Sequence, residues 1–331
     1  MKIGIFSVVD HYPKELSRTV AQFYAELLDH AQLADELGFD SFWIAEHHFH
    51  EYGAIPAPAA WLAAAAMRTR RIGLGVAISV LPFHNPITVA EEYAMVDVLS
   101  GGRLQFGAGS GYLQHEFTGF GVPVADKYAR FDEALDIINL AWKGEPFSYH
   151  GRFNHIDNVA LQLVPLQKPR PPILIAVLRN EAARQVGERG YPLMTIPYAT
   201  SGGLPELAQM VAGYRQAYSA AGHGAASDAT VVCAVHAYVA DNAEGIERHA
   251  KPAIDRYVRT RLYAVSRPYE LLQQKQLIAC GSPQHVVAML RAYETAGFDK
   301  FLCMLDFGGM EQREVARSMK RFAAEVLPAF A

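Results

Sequence analysis

The chain has 331 residues, 51% hydrophobic and 19% charged, with a formal net charge of -4 at pH 7, enough apolar material for one large core. A mildly acidic balance without a Lys/Arg block excludes the counterion-release drive of a nucleic-acid binder, so no nucleic acid is expected as a partner. Asp, Glu, Arg or His interrupts every apolar stretch before the roughly 18 residues of a membrane span, and the alanine run Ala57 to Met67 is too short, so no membrane association is expected.

In chain order, Lys2 to Val8 reads as a buried strand from the first residues, without the apolar core and small-residue cleavage site of a signal peptide, and the expected location is cytoplasmic. An amphipathic helix over Val20 to Gly38 leads to a strand at Ser41 to Ala45. The same alternation continues with helix Ala57 to Arg68, strand Ile72 to Val80, helix Ile87 to Leu99, strand Leu104 to Ala108 and helix Asp126 to Lys143. Strand Ile173 to Val177, helix Glu181 to Glu188, strand Leu193 to Ile196, helix Pro205 to Ala221 and strand Thr230 to Val239 follow. Helix Pro283 to Gly297, strand Lys300 to Leu305 and a last helix Glu311 to Val326 complete the chain.

Eight strands alternating with helices predict an α/β fold, a single-domain (β/α)8 TIM barrel over residues 1-331. A doubly wound sheet usually has about five or six strands and a GxGxxG turn after the first, which is absent here. Gly38 and Gly297 each close a helix ahead of a Phe-Asp pair, as a left-handed cap requires. Two insertions break the spacing. Glu145 to Pro172 reads as a hairpin with a proline-rich tether that covers the barrel's bottom. Asn242 to Gly281 follows the seventh strand, at the end where barrel enzymes build their sites. The three cysteines, Cys233, Cys280 and Cys303, show neither CxxC spacing nor an even count, so neither a disulfide framework nor a metal centre is expected.

A barrel carries its chemistry just beyond the C-terminal ends of its strands. Those positions hold Asp10, His11 and Tyr12, then Glu46, His47, His48 and His50, then Pro82, Phe83, His84 and Asn85. After the fourth strand come Gly109-Ser110-Gly111-Tyr112 and His115-Glu116-Phe117, after the fifth Arg179 and Asn180, and after the sixth Tyr198, Thr200 and Ser201. Seven of the thirteen histidines (His11, His47, His48, His50, His84, His115 and His236) fall at or near strand ends, which favours one site. Within Glu46-His47-His48, adjacent side chains point in opposite directions, so at least one histidine is a hydrogen-bonded structural residue with Glu46 orienting a neighbour, and a catalytic histidine is the other reading of the same run. Paired histidines lack the i,i+4 spacing of a zinc helix, and no metal ligand is assigned. Gly109 to Gly111 give a backbone that a flat ring or a phosphate can approach closely, and Arg130 and Arg179 are the guanidinium candidates for a phosphate.

Met1 to Phe6, Gly38-Phe39-Asp40, Glu46-His47-His48-Phe49, Val80-Leu81-Pro82, Ser100 to Gly107, Glu116-Phe117 with Phe120-Gly121, Gly281-Ser282-Pro283 and Ser318 to Phe322 together resemble the bacterial luciferase-like flavin monooxygenases. The resemblance runs in order along nearly the whole chain. It implies reduced FMN (FMNH2) at the C-terminal mouth and dioxygen adding to give a flavin hydroperoxide, with the protein excluding water and placing the substrate. It implies His47 as the essential histidine, acting by hydrogen bonding or proton transfer, with Glu46 orienting it. It implies a cis peptide behind the flavin at Val76-Ala77, and a cofactor-binding set of Val76, Ala77, Gly109, Ser110, Tyr112, Arg130, Val177, Arg179 and Asn180. Three departures stand out. Gly109 replaces luciferase's reactive cysteine, Ser110 replaces a phosphate-binding arginine, and Leu178-Arg179 replaces an acidic-serine pair, moving phosphate binding toward Arg179 and Asn180. Light emission from a long-chain aldehyde is not expected.

The activity these readings imply is an FMNH2-dependent monooxygenase of a two-component system, supplied by a separate flavin reductase because the chain shows no NAD-binding fold. Tyr12, Phe49, Trp61, Phe83, Tyr112, Tyr198 and Phe307 are the candidate pocket walls, which fits a small apolar or aromatic organic substrate. An F420-dependent dehydrogenase or reductase of the same fold is the alternative, and a non-catalytic flavin-binding subunit is a second. A homodimer is expected through the helices after the second and third strands.

Overall fold

The computed structural model describes residues 1–51, 53–199, 201–261 and 266–331. Eleven strands are present among them: β1 (Lys2–Ser7), β2 (Ser41–Ile44), β3 (Gly73–Val80), β4 (Leu104–Gly109), β5 (Phe147–His150), β6 (His155–Val159), β7 (Ile173–Ala176), β8 (Leu193–Thr195), β9 (Val231–Val239), β10 (Ile278–Gly281) and β11 (Lys300–Asp306). Eight of them, β1, β2, β3, β4, β7, β8, β9 and β11, pair in parallel and close through β8–β9 into a (β/α)8 barrel. The sequence explains why these strands are central. Val231–Val239 and Lys300–Asp306 are buried at every position, as a parallel sheet covered on both faces requires.

The helices start and stop where local chemistry dictates. Thr19 accepts from the Gln22 N–H while Gln22 returns a bond to the Thr19 N–H, which opens helix Val20–Leu37. Gly38, at φ 85°, closes that helix in the left-handed region and turns the chain into β2.

Both insertions follow the sequence expectation in part, the first as a hairpin and the second at the mouth. The β5–β6 hairpin does not cover the bottom of the barrel. The Glu133 carboxylate accepts the N–H groups of Arg152, Phe153 and Asn154, so the hairpin turn stands against the first half of helix Lys127–Ala141, the end nearer the mouth. In the second insertion, β10 adds an unexpected ninth strand against the C-terminal end of β9, pairing with His236 to Val239 beyond the β8 contacts. Helix Lys251–Arg259 from the same insertion lies over the mouth. It buries Ala253, Ile254, Tyr257 and Val258, each large side chain contributing roughly 1.5–3 kcal/mol. Gly308 (φ 60°) is the point of contact: a Cβ there would stand 1.9 Å from the Ala253 carbonyl oxygen. Arg256 fixes the contact by donating to the Gly308 carbonyl at 2.6 Å.

The cis peptide is Ala77–Ile78, one bond beyond the expected Val76-Ala77. The strand register accounts for the difference. Val76 still pairs regularly with Phe106, and pairing resumes only at Ser79 with Ala108, so the irregularity falls after Val76.

A recess of about 920 Å³ opens at the N-terminal ends of the strands, opposite the mouth. Its charged groups are mutually paired: the Met1 amine with Glu294, Lys2 and Lys300 with Asp40, and Arg215 with Asp299. It closes the bottom of the barrel, and none of the candidate site residues lines it.

Candidate active site

The chain leaves β2 and buries Glu46, His47 and His48 in succession. His47 Nδ1 lies 3.1 Å from Glu116 Oε1, and the same oxygen accepts the His48 N–H at 2.9 Å. A carboxylate only accepts, so Nδ1 carries the proton of the neutral ring and Nε2 is left as its basic atom. Burial lowers the His47 pKa, with the Glu116 carboxylate opposing it, so the ring is neutral at pH 7. Gly53 leaves room for the ring, since a Cβ there would meet the His47 Cβ at 2.3 Å. Glu116, on the short helix Gln114–Phe120, therefore holds the contact that the sequence reading gave to Glu46.

Glu46 has a different set of partners. Its Oε1 faces His48 Nε2 at 3.0 Å and His84 Nε2 at 2.6 Å, and its Oε2 accepts the Val80 N–H at 3.2 Å. Burial pushes this carboxyl up, but the bonds from the two histidines outweigh it and hold the pKa at about 2. The three donor atoms lie within 4.8 Å of one another, a spacing that suits a divalent cation. In this structure they satisfy each other as a hydrogen-bonded trio that ties β2 to β3.

The proposed pocket residues separate into two groups. Phe49 (φ 58°) is 64% exposed and Phe83 is half-buried. Phe83 stacks on Phe120 at 4.7 Å, and Phe49 and His48 lie against the same ring at 5.3 and 4.7 Å. These rings form an outer aromatic cluster. Phe49 is thus not the enclosed wall expected of it, because the left-handed turn after His48 sends its ring outward. Trp61 is a core residue stacked on Phe42. Tyr12, Tyr198 and Phe307 are buried at the inner mouth. Tyr12 donates to Asp10 Oδ2 at 2.6 Å, and burial followed by the Asp10 charge raises its pKa far enough to keep it protonated. Tyr198 and Phe307 pack edge-on against His236 at 5.0 and 5.1 Å. Thr200 lies outside the described residues.

The loops after β4 and β7 are neighbours because those strands pair. A Cβ at Gly109 would meet Ile78 Cδ1 at 2.0 Å, so the space beside it is occupied by the side chain following the cis bond. Val76 is fully buried, and Val177 is buried and bonded to the Met194 carbonyl. Ser110 is half-buried, and Tyr112 sets its ring edge-on to His47 at 6.4 Å. Arg130 lays its guanidinium over Phe153 at 4.3 Å, and its buried Nε has no hydrogen-bond partner among the described residues. Lys127, on the same helix turn, places Nζ 3.5 Å from the Gly111 carbonyl. Arg179 and Asn180 are exposed at the N-terminus of helix Asn180–Glu188, which has no side-chain cap.

Sequence reasoning passed over Lys127, and it noted Glu116 and His236 at strand ends without giving them partners. Glu116 is 69 positions from His47, and no local spacing signals a contact over that distance.

Residues 1–300 match the model of the luciferase-like monooxygenase family. The chain is 28% identical over 338 residues to the oxygenase component of the flavin-dependent trigonelline monooxygenase of Acinetobacter baylyi, covering 95% of this chain and 91% of that protein. It superposes on the crystal structure of monooxygenase RslO1 from Streptomyces bottropensis with a TM-score of 0.92, at 32% identity over the whole of both chains. Over 188 residues it is 34% identical to an F420-dependent glucose-6-phosphate dehydrogenase of Microbacterium testaceum, covering 55% of this chain and 54% of that one. It also spans about half the length of two Sinorhizobium fredii relatives, 47% of one and 54% of the other.

Proposed function

This chain belongs to the luciferase-like monooxygenase family, a family of oxidoreductases, and from that premise we propose that it is the oxygenase component of a two-component system. It takes FMNH2 from a separate flavin reductase and inserts one atom of O2 into a small apolar or aromatic substrate, the other atom leaving as water. The observation that carries this reading is the His47–Glu116 pair at the mouth: a buried, neutral imidazole whose tautomer is fixed by a carboxylate.

The donor set fits a phosphorylated flavin. Arg130 keeps a buried Nε without a partner among the described residues, Lys127 adds a cation on the same helix turn, and the uncapped N-terminus beside Arg179 offers backbone N–H groups to an anion. Ser110 and Tyr112 continue this side toward His47. When bound, FMNH2 supplies the electrons that activate dioxygen. His47 Nε2 takes or returns a proton beside the reacting oxygen, while Glu116 holds the ring by Nδ1. Tyr12, Tyr198 and Phe307 exclude water and present an aromatic wall to the substrate.

Anaerobic titration with FMNH2 and with reduced F420 tests the cofactor. Binding of FMNH2 alone is expected, and binding of F420 alone overturns the reading in favour of a hydride-transferring dehydrogenase. Substrate oxidation unchanged by His47→Ala would revive the non-catalytic subunit. Two further expectations attach to the same reading. Helix Pro58–Arg68 exposes Ala60, Ala64 and Met67 along one face, and the neighbouring helix Pro86–Ser100 exposes Met95 and Leu99, an apolar surface suited to pairing two copies. Among the described residues no helix is long and apolar enough to cross a membrane, and we place the enzyme in the cytoplasm with its reductase.

A further inference from the structure

Glu46 and His48 stand two positions apart, so their side chains leave the chain on one side while His47, between them, turns to Glu116. His84, which follows β3, meets them there. Both imidazoles aim Nε2 at the same Glu46 oxygen, at 3.0 and 2.6 Å, and the three donor atoms lie within 4.8 Å of one another. Among the described residues this is the one group of three potential metal ligands so placed. Two imidazole nitrogens and one carboxylate oxygen are the donor types of a His2Glu zinc site. The carboxylate is oriented from behind, since its Oε2 accepts the Val80 N–H at 3.2 Å, the arrangement that outer partners give to metal ligands. Phe120 and Phe83 hold the His48 ring edge-on at 4.7 and 6.2 Å. The His84 side chain is 29% exposed, which leaves an ion a path in and an open side for a water ligand. Glu92, on helix Pro86–Ser100, adds a negative charge that acts on His84. A tetrahedral zinc ion with ligands at about 2.0–2.1 Å sets its donor atoms about 3.3 Å apart. To reach that spacing His84 draws back from Glu46 by less than about 1 Å. The ion then takes the place of the two protons shared between the donors, so no separate cavity is needed.

We propose that Glu46, His48 and His84 form a binding site for a first-row divalent cation of the zinc class, with water completing a tetrahedron. On binding, the proton of each neutral imidazole passes from Nε2 to Nδ1 through solvent, and the freed Nε2 lone pair goes to the ion. The ion joins the loop after β2 to the loop after β3, one residue from His47, and takes no ligand from the His47–Glu116 pair.

The test is calorimetric titration of the tag-free, full-length protein with zinc chloride at pH 7, with cobalt(II) followed in parallel by its visible absorption. Zinc binding and a tetrahedral cobalt spectrum are expected, and zinc at roughly a hundredfold excess over its Kd should raise Tm by about 4 °C. His84→Gln keeps an N–H donor toward Glu46 but offers the ion only a weak amide ligand. It should melt near wild type in chelator and lose at least the roughly tenfold to hundredfold in zinc affinity that an outer partner is worth. Glu46→Gln makes the same comparison from the buried side. Magnesium, a poor partner for imidazole, should not compete. Absence of zinc binding, an octahedral cobalt spectrum, or full zinc affinity in His84→Gln, which would place the ion on other histidines, overturns the proposal.

Discussion

Glu116→Gln isolates the charge that holds His47. A glutamine Oε1 can still accept from His47 Nδ1 and the His48 N–H, so the two bonds survive while becoming neutral. Charge-assisted bonds are worth roughly twice neutral ones, a difference of about 1 kcal/mol each and about 2 kcal/mol together. For 331 residues the unfolding entropy is about 0.7 kcal/mol per kelvin, so Tm should fall by about 3 °C near pH 8. The pH dependence gives the sharper test. Burial lowers the His47 pKa below its ordinary 6.5 in the folded protein, so the unfolded chain binds the proton more readily. Stability contributed by the neutral ring is fully present above about 6.5 and is lost as pH falls through and below that value. Removing Glu116's charge removes the main term opposing this loss, so the gap between wild type and variant should widen at pH 5.5. Scanning calorimetry at the two pH values measures it. A gap that stays constant or narrows toward acid would refute Glu116 as the charge partner of His47.

Arg130→Met should weaken FMN binding on the order of tenfold to a hundredfold and leave riboflavin binding unchanged, measured by flavin fluorescence quenching; equal losses for both would remove Arg130 from the phosphate. Asp306 is buried, and neither carboxyl oxygen has a hydrogen-bond partner among the described residues. Burial raises its pKa to about 7 from 3.8, so the folded protein retains a proton that the unfolded chain releases, and stability is lost as pH rises between those values. Asp306→Asn should therefore gain on wild type in thermal melts at pH 8.5 relative to pH 5, and a pH-independent difference would contradict this. Ala64→Arg, on the exposed helix face, should convert a dimer to a monomer in light scattering with its melting temperature nearly unchanged; an unaltered mass would move the interface elsewhere.

The sequence by itself determined the barrel, because both of its signals are local. Nearly continuous apolar runs such as Val231–Val239, broken only by His236, specify strands buried on both faces, and residues such as Thr19 and Gly38 mark where helices begin and end. It also located the mouth, since strand ends can be counted. Tertiary structure alone decided who touches whom there. Glu46 and Glu116 are both acids near His47 in the mouth, but the path of the chain after β2 turns Glu46 toward His84 on the next loop and brings Glu116 to His47 from a helix 69 positions away. In the same way Phe49 and Tyr12 look equivalent as aromatic strand-end residues, and a left-handed turn puts one in water while Asp10 anchors the other inside. Covalent neighbours fix periodicity and caps, whereas partners across a closed barrel are fixed by register and strand closure, which no single stretch of sequence contains.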